Sequence, residues 1–438
     1  RSTIAIALGS LLVLPGLANS DDKRSLSASE GNPQQHEDFA VGGAFFQQPW
    51  VIAPASTTAR DGLGPLFKAN SCLACHIGHG RGHPPFTPEE PFLSTLVKLS
   101  VPAITPEQQA AAARLGVAPE PTYGDHLQPL GIKGLPGEGT PRFTYSEIKG
   151  QLKDGEAYTL QKPTLTVENP HYGAFAPSVQ FSARVAPPLP GMGLLESIPE
   201  AEILANADPD DKNTDGISGK ANYVWDIARQ KTVLGRFSWK ANQPSILQQS
   251  SDAFRNDIGI TSELFPEQPC TATQTDCLSL PQGGKPEIPA DLLEKVVFHV
   301  ANQPVPARRN ANDPQVMQGQ KLFNQTGCAA CHVPGFPALA NQPHQPYTDF
   351  LLHDMGEGLA DNRPEFMASG SEWRTPPLWG IGLTEKINGH TRFLHDGRAR
   401  NLLEAILWHG GEAEPARQNV VSMNKSEREA LLRFLNSL

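Results

Sequence analysis

The chain has 438 residues and a formal net charge of −10, long enough for two domains with substantial cores and too acidic for a nucleic-acid partner held by phosphate contacts. Its 41 Pro and 39 Gly predict short helices joined by long ordered loops. No run of about 18 or more apolar residues lies in the body of the chain, which speaks against an internal membrane span.

Residues 4–14 are apolar, and Ala18-Asn19-Ser20 places small residues before Asp21-Asp22. This is the pattern of a secretory signal over residues 1–20, too short for an anchor, so the mature chain is expected to be exported without a transmembrane segment. Residues 21–40 are polar and expected to form a disordered leader. Cys72-Leu73-Ala74-Cys75-His76 follows, preceded by Leu66-Phe67. Two thiols three residues apart can add to the two vinyl groups of one porphyrin, and the adjacent His then supplies the proximal iron ligand. Residues 84–190 are Pro/Gly-rich with one clear helical stretch, 106–115, and read as an elaboration around this first haem. Asp211, Asn213 and Asp215, with Gly216 next, match positions 1, 3, 5 and 6 of an EF-hand loop, although position 12 is Asn222 in place of a Glu. Crowded carboxylates repel unless a cation binds, so calcium is expected at Asp211, Asn213, Asp215 and the Ile217 carbonyl; the alternative is a solvated Asx-rich turn. Cys270 and Cys277 flank a Thr-rich loop and read as a small disulfide, with a pair of free redox thiols as the alternative. Apolar residues at helical spacing over 291–301 close a first domain, residues 41–304.

The second domain, residues 305–438, repeats the haem signature as Cys328-Ala329-Ala330-Cys331-His332 with the same lead-in, Leu322-Phe323. A zinc site pooling both Cys pairs leaves His76 and His332 unexplained. Two covalently bound c-type haems are therefore expected, outside the cytoplasm, in the periplasm or another exported location. A last helix is expected over 426–435. The fold class is mainly α: two cytochrome c-like haem domains with long Pro/Gly-rich loops and insertions.

Further motifs carry a resemblance. Trp373-Arg374-Thr375-Pro376-Pro377-Leu378 and Leu394-His395-Asp396-Gly397-Arg398-Ala399 resemble signatures of the bacterial di-haem cytochrome c peroxidase superfamily. Leu352-His353-Asp354-Met355-Gly356, Trp408-His409-Gly410-Gly411-Glu412, Gly235-Arg236-Phe237-Ser238-Trp239 and Gly193-Leu194-Leu195-Glu196 resemble its exported di-haem oxidoreductase (thiol oxidoreductase) branch, over most of the chain from about Gly64 onward. The resemblance implies one haem sealed by two protein ligands and another with an open position for peroxide.

An internal comparison assigns these roles. The run from Asn401 to His409 can be laid on the run from Ser245 to Ala253, helix on helix with a polar cap at the start of each. His409 is accordingly expected as sixth ligand of the C-terminal haem, with Met355 and His353 as rivals and a packed or propionate-bonding histidine as the plain alternative. Its first-half counterpart, Ala253, cannot ligate iron, so the N-terminal haem is expected to be open. His126 is a candidate to fill that position from a movable loop. The resemblance also implies Gln249 and a carboxylate beside the open haem, for which Asp257 is the nearest match and Glu196 its rival. Trp239 is implied as an aromatic between the haems, and Arg374, Arg398 and Arg400 as partners for propionates. The expected activity is peroxide or small-oxidant reduction, with electrons from a small donor such as a cytochrome c or cupredoxin. The alternatives are a non-catalytic electron carrier and oxidation of a protein or thiol substrate.

Overall fold

The computed structural model describes residues 32–438, so the expected signal and most of the leader lie outside it. Helix α1, Pro33–Gln47, starts inside the stretch expected to be a disordered leader. Asn32 accepts the Gln35 amide and Gln35 returns a bond to Asn32, while Pro33 takes the first turn; this reciprocal cap was the missed signal. The first Cys pair lies on a single turn, α2, Cys72–Cys75. Strand β1, Thr95–Ser100, is followed by α3, Pro106–Leu115, capped by Thr105 and stopped by the left-handed Gly116. Strands β2, Thr140–Gln151, and β3, Ala157–Glu168, form an antiparallel ribbon pairing Thr140 with Glu168 and Gln151 with Ala157. Strand β4, Gln180–Val185, returns antiparallel to β1. Helix α4, Ile246–Ala253, continues into a π-helical turn, Phe254–Ile258. Helix α5, Ala290–Ala301, lies against α1, where a Cβ on Gly42 would stand 1.9 Å from the Lys295 carbonyl oxygen.

The C-terminal part packs α6, Pro314–Gln325, against α8, Lys425–Ser437, with the short α7, Leu402–Leu407, beside them. Thirteen α-helical segments stand among the described residues, and the strands form only two-stranded sheets. The chain is thus mostly helical. None of the described helices is long and apolar enough to cross a membrane.

The halves are not packed separately. Val316, Phe323, Leu402, Leu431 and Phe434 share one apolar core with Leu152, Leu160, Val185 and Trp239 of the first half. The β2–β3 ribbon, which sequence reading left as loop, reaches this core and is pinned there by Arg428 on Asp154 (2.7 Å) and Glu156 (2.6 Å). Its strands alternate polar and apolar residues over a largely exposed surface, a weak local signal.

Candidate functional site

Each Cys-x-x-Cys-His segment faces its own cavity. Ser71 caps α2 by accepting the Ala74 amide at 3.3 Å. Cys72, Cys75 and His76 line a cavity of about 160 Å³ with Phe46, Pro187 and Trp239. For scale, an apolar cavity of roughly 150 Å³ holds a benzene ring. Burial pushes both thiols up to about 12, so they are protonated and lack the low pKa of a redox dithiol or a zinc-binding thiolate. Burial likewise lowers His76 to about 4, leaving a neutral imidazole, and its Nδ1 has no hydrogen-bond partner.

The rest of this cavity is built by α4, the π turn and the strand region. Gln249, Asp252, Ala253 and Asp257 line it together with Lys98 and His126. The cap of α4 explains the placement: Ser245 accepts the Gln248 amide at 3.1 Å and fixes the start of the helix. A π turn widens the helix at its end, as often occurs at functional sites, and carries Asp257 into the cavity wall. Burial raises Asp257 to about 6 against the pull of His126, and raises Asp252 as well. Glu196 is not part of this lining. Its carboxylate accepts the Ile246 amide at 2.9 Å, so it anchors the N-terminus of α4, where the helix dipole favours an anion. His126 is not on a movable loop: Leu99 donates to the Asp125 carbonyl (2.9 Å) and Leu127 donates to the Val97 carbonyl (2.8 Å). These bonds clamp residues 125–127 onto β1.

The second cavity, about 350 Å³, is lined by Cys328, Cys331, His332, His353, Met355, His409, Arg81, Trp239 and Arg374. His332 Nδ1 lies 2.9 Å from the Tyr347 carbonyl, and His409 Nδ1 lies 2.7 Å from the Ala405 carbonyl. Burial lowers both histidines, His332 to about 4. A neutral imidazole that donates from Nδ1 presents the Nε2 lone pair, the form that ligates metal. His353 differs. Its Nε2 meets Asp349 and its Nδ1 meets Glu412, both at 2.7 Å. Burial opposes its charge, but Asp349, Cys331 and Glu412 together raise it to about 12. Both of its nitrogens are occupied, which removes His353 as a rival ligand.

Trp239 and Arg374 line both cavities. Trp239 is buried and donates from Nε1 to the Val185 carbonyl at 2.8 Å. Arg374 donates only to carbonyls, those of Ser238 (2.8 Å) and Thr375 (3.1 Å), and burial lowers it to about 10. Arg398, the other expected propionate partner, is paired with Asp396 at 2.7 Å and lies outside both linings; Arg400 is held by Glu404 at 2.6 Å. Each pairs with a carboxylate within four residues of itself.

Sequence reading missed Arg81. It is 6 % exposed, sits over the Trp239 ring at 5.5 Å, and has a buried Nη1 without a partner. Burial alone lowers it to about 10. A buried guanidinium with an unused donor fits a carboxylate group. The only signal was its place five residues after His76. Two largely apolar cavities are each lined by a Cys pair and the His that follows it, with Arg374 in both walls and the partnerless Arg81 Nη1 in the second, and this is the donor set that a haem attachment site needs.

The loop expected to hold calcium satisfies itself. Asp211 accepts the Gly216 amide (3.1 Å), Asn213 accepts the Asp215 amide (3.0 Å), and Asp215 accepts the Ile217 amide (2.9 Å). Among the described residues no group of three or more His, Cys, Asp or Glu gathers as a metal site. These are the bonds of an Asx-rich turn. Chelator treatment is expected to leave the melting temperature unchanged and to release no stoichiometric calcium on metal analysis. A fall in melting temperature reversed by calcium alone would restore the cation. Cys270 and Cys277 are joined as a disulfide.

Comparison with known proteins places these observations. The family model described as "Di-haem oxidoreductase, putative peroxidase" matches residues 25–438. Among solved structures, the chain is similar to a MauG-like protein associated with microbial copper homeostasis, at 16% identity and a TM-score of 0.31, covering 61% of this chain and 75% of that one. It is also similar to a Kuenenia stuttgartiensis hydrazine synthase, at 21% identity and a TM-score of 0.25, covering 34% of this chain. The match spans about half, 55%, of that synthase chain. No curated protein matches.

Proposed function

Since the chain belongs to the di-haem oxidoreductase family, we propose that it is an exported enzyme that draws electrons from a small redox protein and reduces peroxide or a similar small oxidant. Cys72, Cys75 and His76 hold one haem covalently, and Cys328, Cys331 and His332 hold the other. His409 closes the C-terminal centre. The carrying observation is the contrast eight residues after the matched caps Ser245 and Asn401: Ala253, the last residue of α4, lines one cavity, and His409, two residues past the end of α7, lines the other.

A bound haem would supply a redox-active iron able to pass electrons and to meet a small oxidant. The chain's residues then divide the work. His409 presents Nε2 because Ala405 holds its Nδ1. Trp239 fills the wall common to both cavities and excludes water there. Arg81 and Arg374 neutralise carboxylates at the cavity edges. Gln249, Asp252 and Asp257 give the N-terminal cavity polar groups on and just after α4, two of them carboxyls able to hold a proton. Asp257, raised to about 6, is ionised above that pH and protonated below it. The calcium expected at residues 211–217 is not carried into this reading.

Covalent attachment is tested on a denaturing gel stained for haem. Each Cys-to-Ser pair, at 72 and 75 or at 328 and 331, is expected to lose half of the stain. Openness is tested by cyanide, which is expected to bind one iron and leave the other low-spin. Two low-spin irons, inert to cyanide in every redox state, would make the chain an electron carrier.

A further inference from the structure

The N-terminal cavity holds several groups able to move a proton, and their hydrogen bonds separate them. Asp252 is committed, accepting from Gln243 at 3.2 Å and from Asn256 at 2.8 Å. Asp257 lies close enough to the Cys72 and Cys75 thiols to help raise both, and its backbone carbonyl holds the Lys68 and Ala69 amides at 2.7 and 3.0 Å. It therefore stands toward the attachment side of the cavity. Gln249 has no ionisable group to offer. His126 is different. It is 7 % exposed, lines the cavity, and its buried Nδ1 makes no hydrogen bond. That nitrogen lies 3.3 Å from Asp125 Oδ1, at ion-pair distance but outside hydrogen-bond geometry.

We propose that His126 is the proton-transfer residue of the N-terminal centre, with Asp125 as its positioning residue and the β1 clamp setting its height above the cavity floor. The proposal rests on the reading of that centre as open. The notion of a swinging ligand loses its mechanical basis, because residues 125–127 are tied to β1 on both sides of His126. A histidine held by its backbone in the cavity wall, with Asp125 3.3 Å from its Nδ1, suits proton exchange with a small substrate in that cavity. The charged groups around it are Asp125 on its own segment, Lys98 on β1, Asp252 on α4, and Arg255 and Asp257 on the π turn.

Hydrogen peroxide, two electrons and two protons give two waters. With haem bound, His126 would take a proton from one peroxide oxygen and return it to the other as the O–O bond breaks, so that the doubly protonated oxygen leaves as water. The two electrons would come from a one-electron donor of the small redox-protein class, oxidised twice, and two protons from solvent would complete the second water.

Cyanide binding tests this without turnover, because hydrogen cyanide must give up its proton to bind as the anion. In haem-loaded protein, His126→Ala is expected to slow cyanide binding and peroxide consumption by about 100-fold or more. The spin state of the resting N-terminal iron should not change, and added imidazole should restore part of the rate. Asp125→Asn should give a smaller loss and move the pH profile of cyanide binding. His126→Gln, which keeps the volume and a polar tip, carries the test if the alanine variant loses haem. A resting spectrum that changes from low-spin to high-spin in His126→Ala would make His126 an axial ligand and overturn the proposal. Unchanged cyanide kinetics in both His126 variants would overturn it too, and would leave the open centre standing. Wild-type protein that binds no cyanide in any redox state sinks the open centre and this proposal together.

Discussion

Substituting Ala for His409 is expected to turn the C-terminal centre from a closed site into a second cyanide-binding one, so that two irons react where one did before. The expectation follows from how the helix holds the side chain. Asn401 caps α7 by accepting the Glu404 amide at 2.9 Å, and the Ala405 carbonyl then fixes His409 Nδ1. No other described group replaces it at once, since His353 has both nitrogens engaged by Asp349 and Glu412. His395 also lines the cavity but lies stacked on the Trp373 ring at 3.7 Å, which leaves Met355 as the rival ligand. The spectrum of His409→Ala therefore separates the two ligands. A high-spin signal that binds cyanide marks His409 as the lost ligand. A C-terminal centre that stays low-spin marks Met355 instead. His409→Met should keep six-coordination and raise the potential, because a thioether stabilises the reduced iron more than an imidazole does. Steady-state turnover should fall in His409→Ala, since electron entry then runs through a centre that rearranges when its redox state changes.

What was legible in the sequence was local. The Cys-x-x-Cys-His spacing needs only five consecutive residues, and the match of Ser245 with Asn401 rests on caps that bond three residues ahead. The same holds for α3, whose Thr105–Gln108 box and terminal Gly116 mark both ends. What stayed hidden depends on partners far along the chain. Arg81 gives no local sign of its free donor, because the missing partner is an absence in three dimensions. The β2–β3 ribbon owes its place to Arg428, more than 270 residues from Asp154 and Glu156. Arg398 pairs locally, with Asp396 two residues earlier at 2.7 Å. His126 combines both cases. Its residue type was conspicuous, yet its rigidity comes from pairing with β1, about 30 residues earlier in the chain.

The largest effect on stability is expected at Glu365, which no motif announces. Its carboxylate is buried and meets Arg184 at 2.6 Å and Lys98 at 3.6 Å, and it is bonded closely to Arg363 as well. Asp361 nearby meets Arg184 at 3.1 Å and Lys240 at 2.8 Å. Four buried cations thus share two carboxylates, and the Trp373 ring, with Lys240 Nζ 4.5 Å from its centroid, absorbs part of the excess. Removing Glu365 takes the carboxylate from Lys98 and Arg363 and leaves Arg184 with Asp361 alone, in a medium that solvates these cations poorly. Loss of one partner from a buried ion pair costs about 3–5 kcal/mol, a large share of the roughly 5–15 kcal/mol that holds a domain together. The pH dependence has a definite sign. Burial raises the Glu365 carboxyl, but Arg184, Lys98 and Arg363 overcome this and hold it well below its ordinary value. Its contribution is therefore complete above the ordinary carboxylate range and is lost as pH falls through the depressed value. Denaturant unfolding of Glu365→Ala should show the full loss near neutral pH and a flatter acid limb than the native chain. Glu365→Gln should keep the shape of the site but lose the charge, and fall between the two. Lys98 and Arg184 line the N-terminal cavity and Trp373 lines the C-terminal one, so a destabilised Glu365 variant should also load haem incompletely at both centres. A variant that loads fully and unfolds like the native chain would show that this cluster does not hold the wall between them.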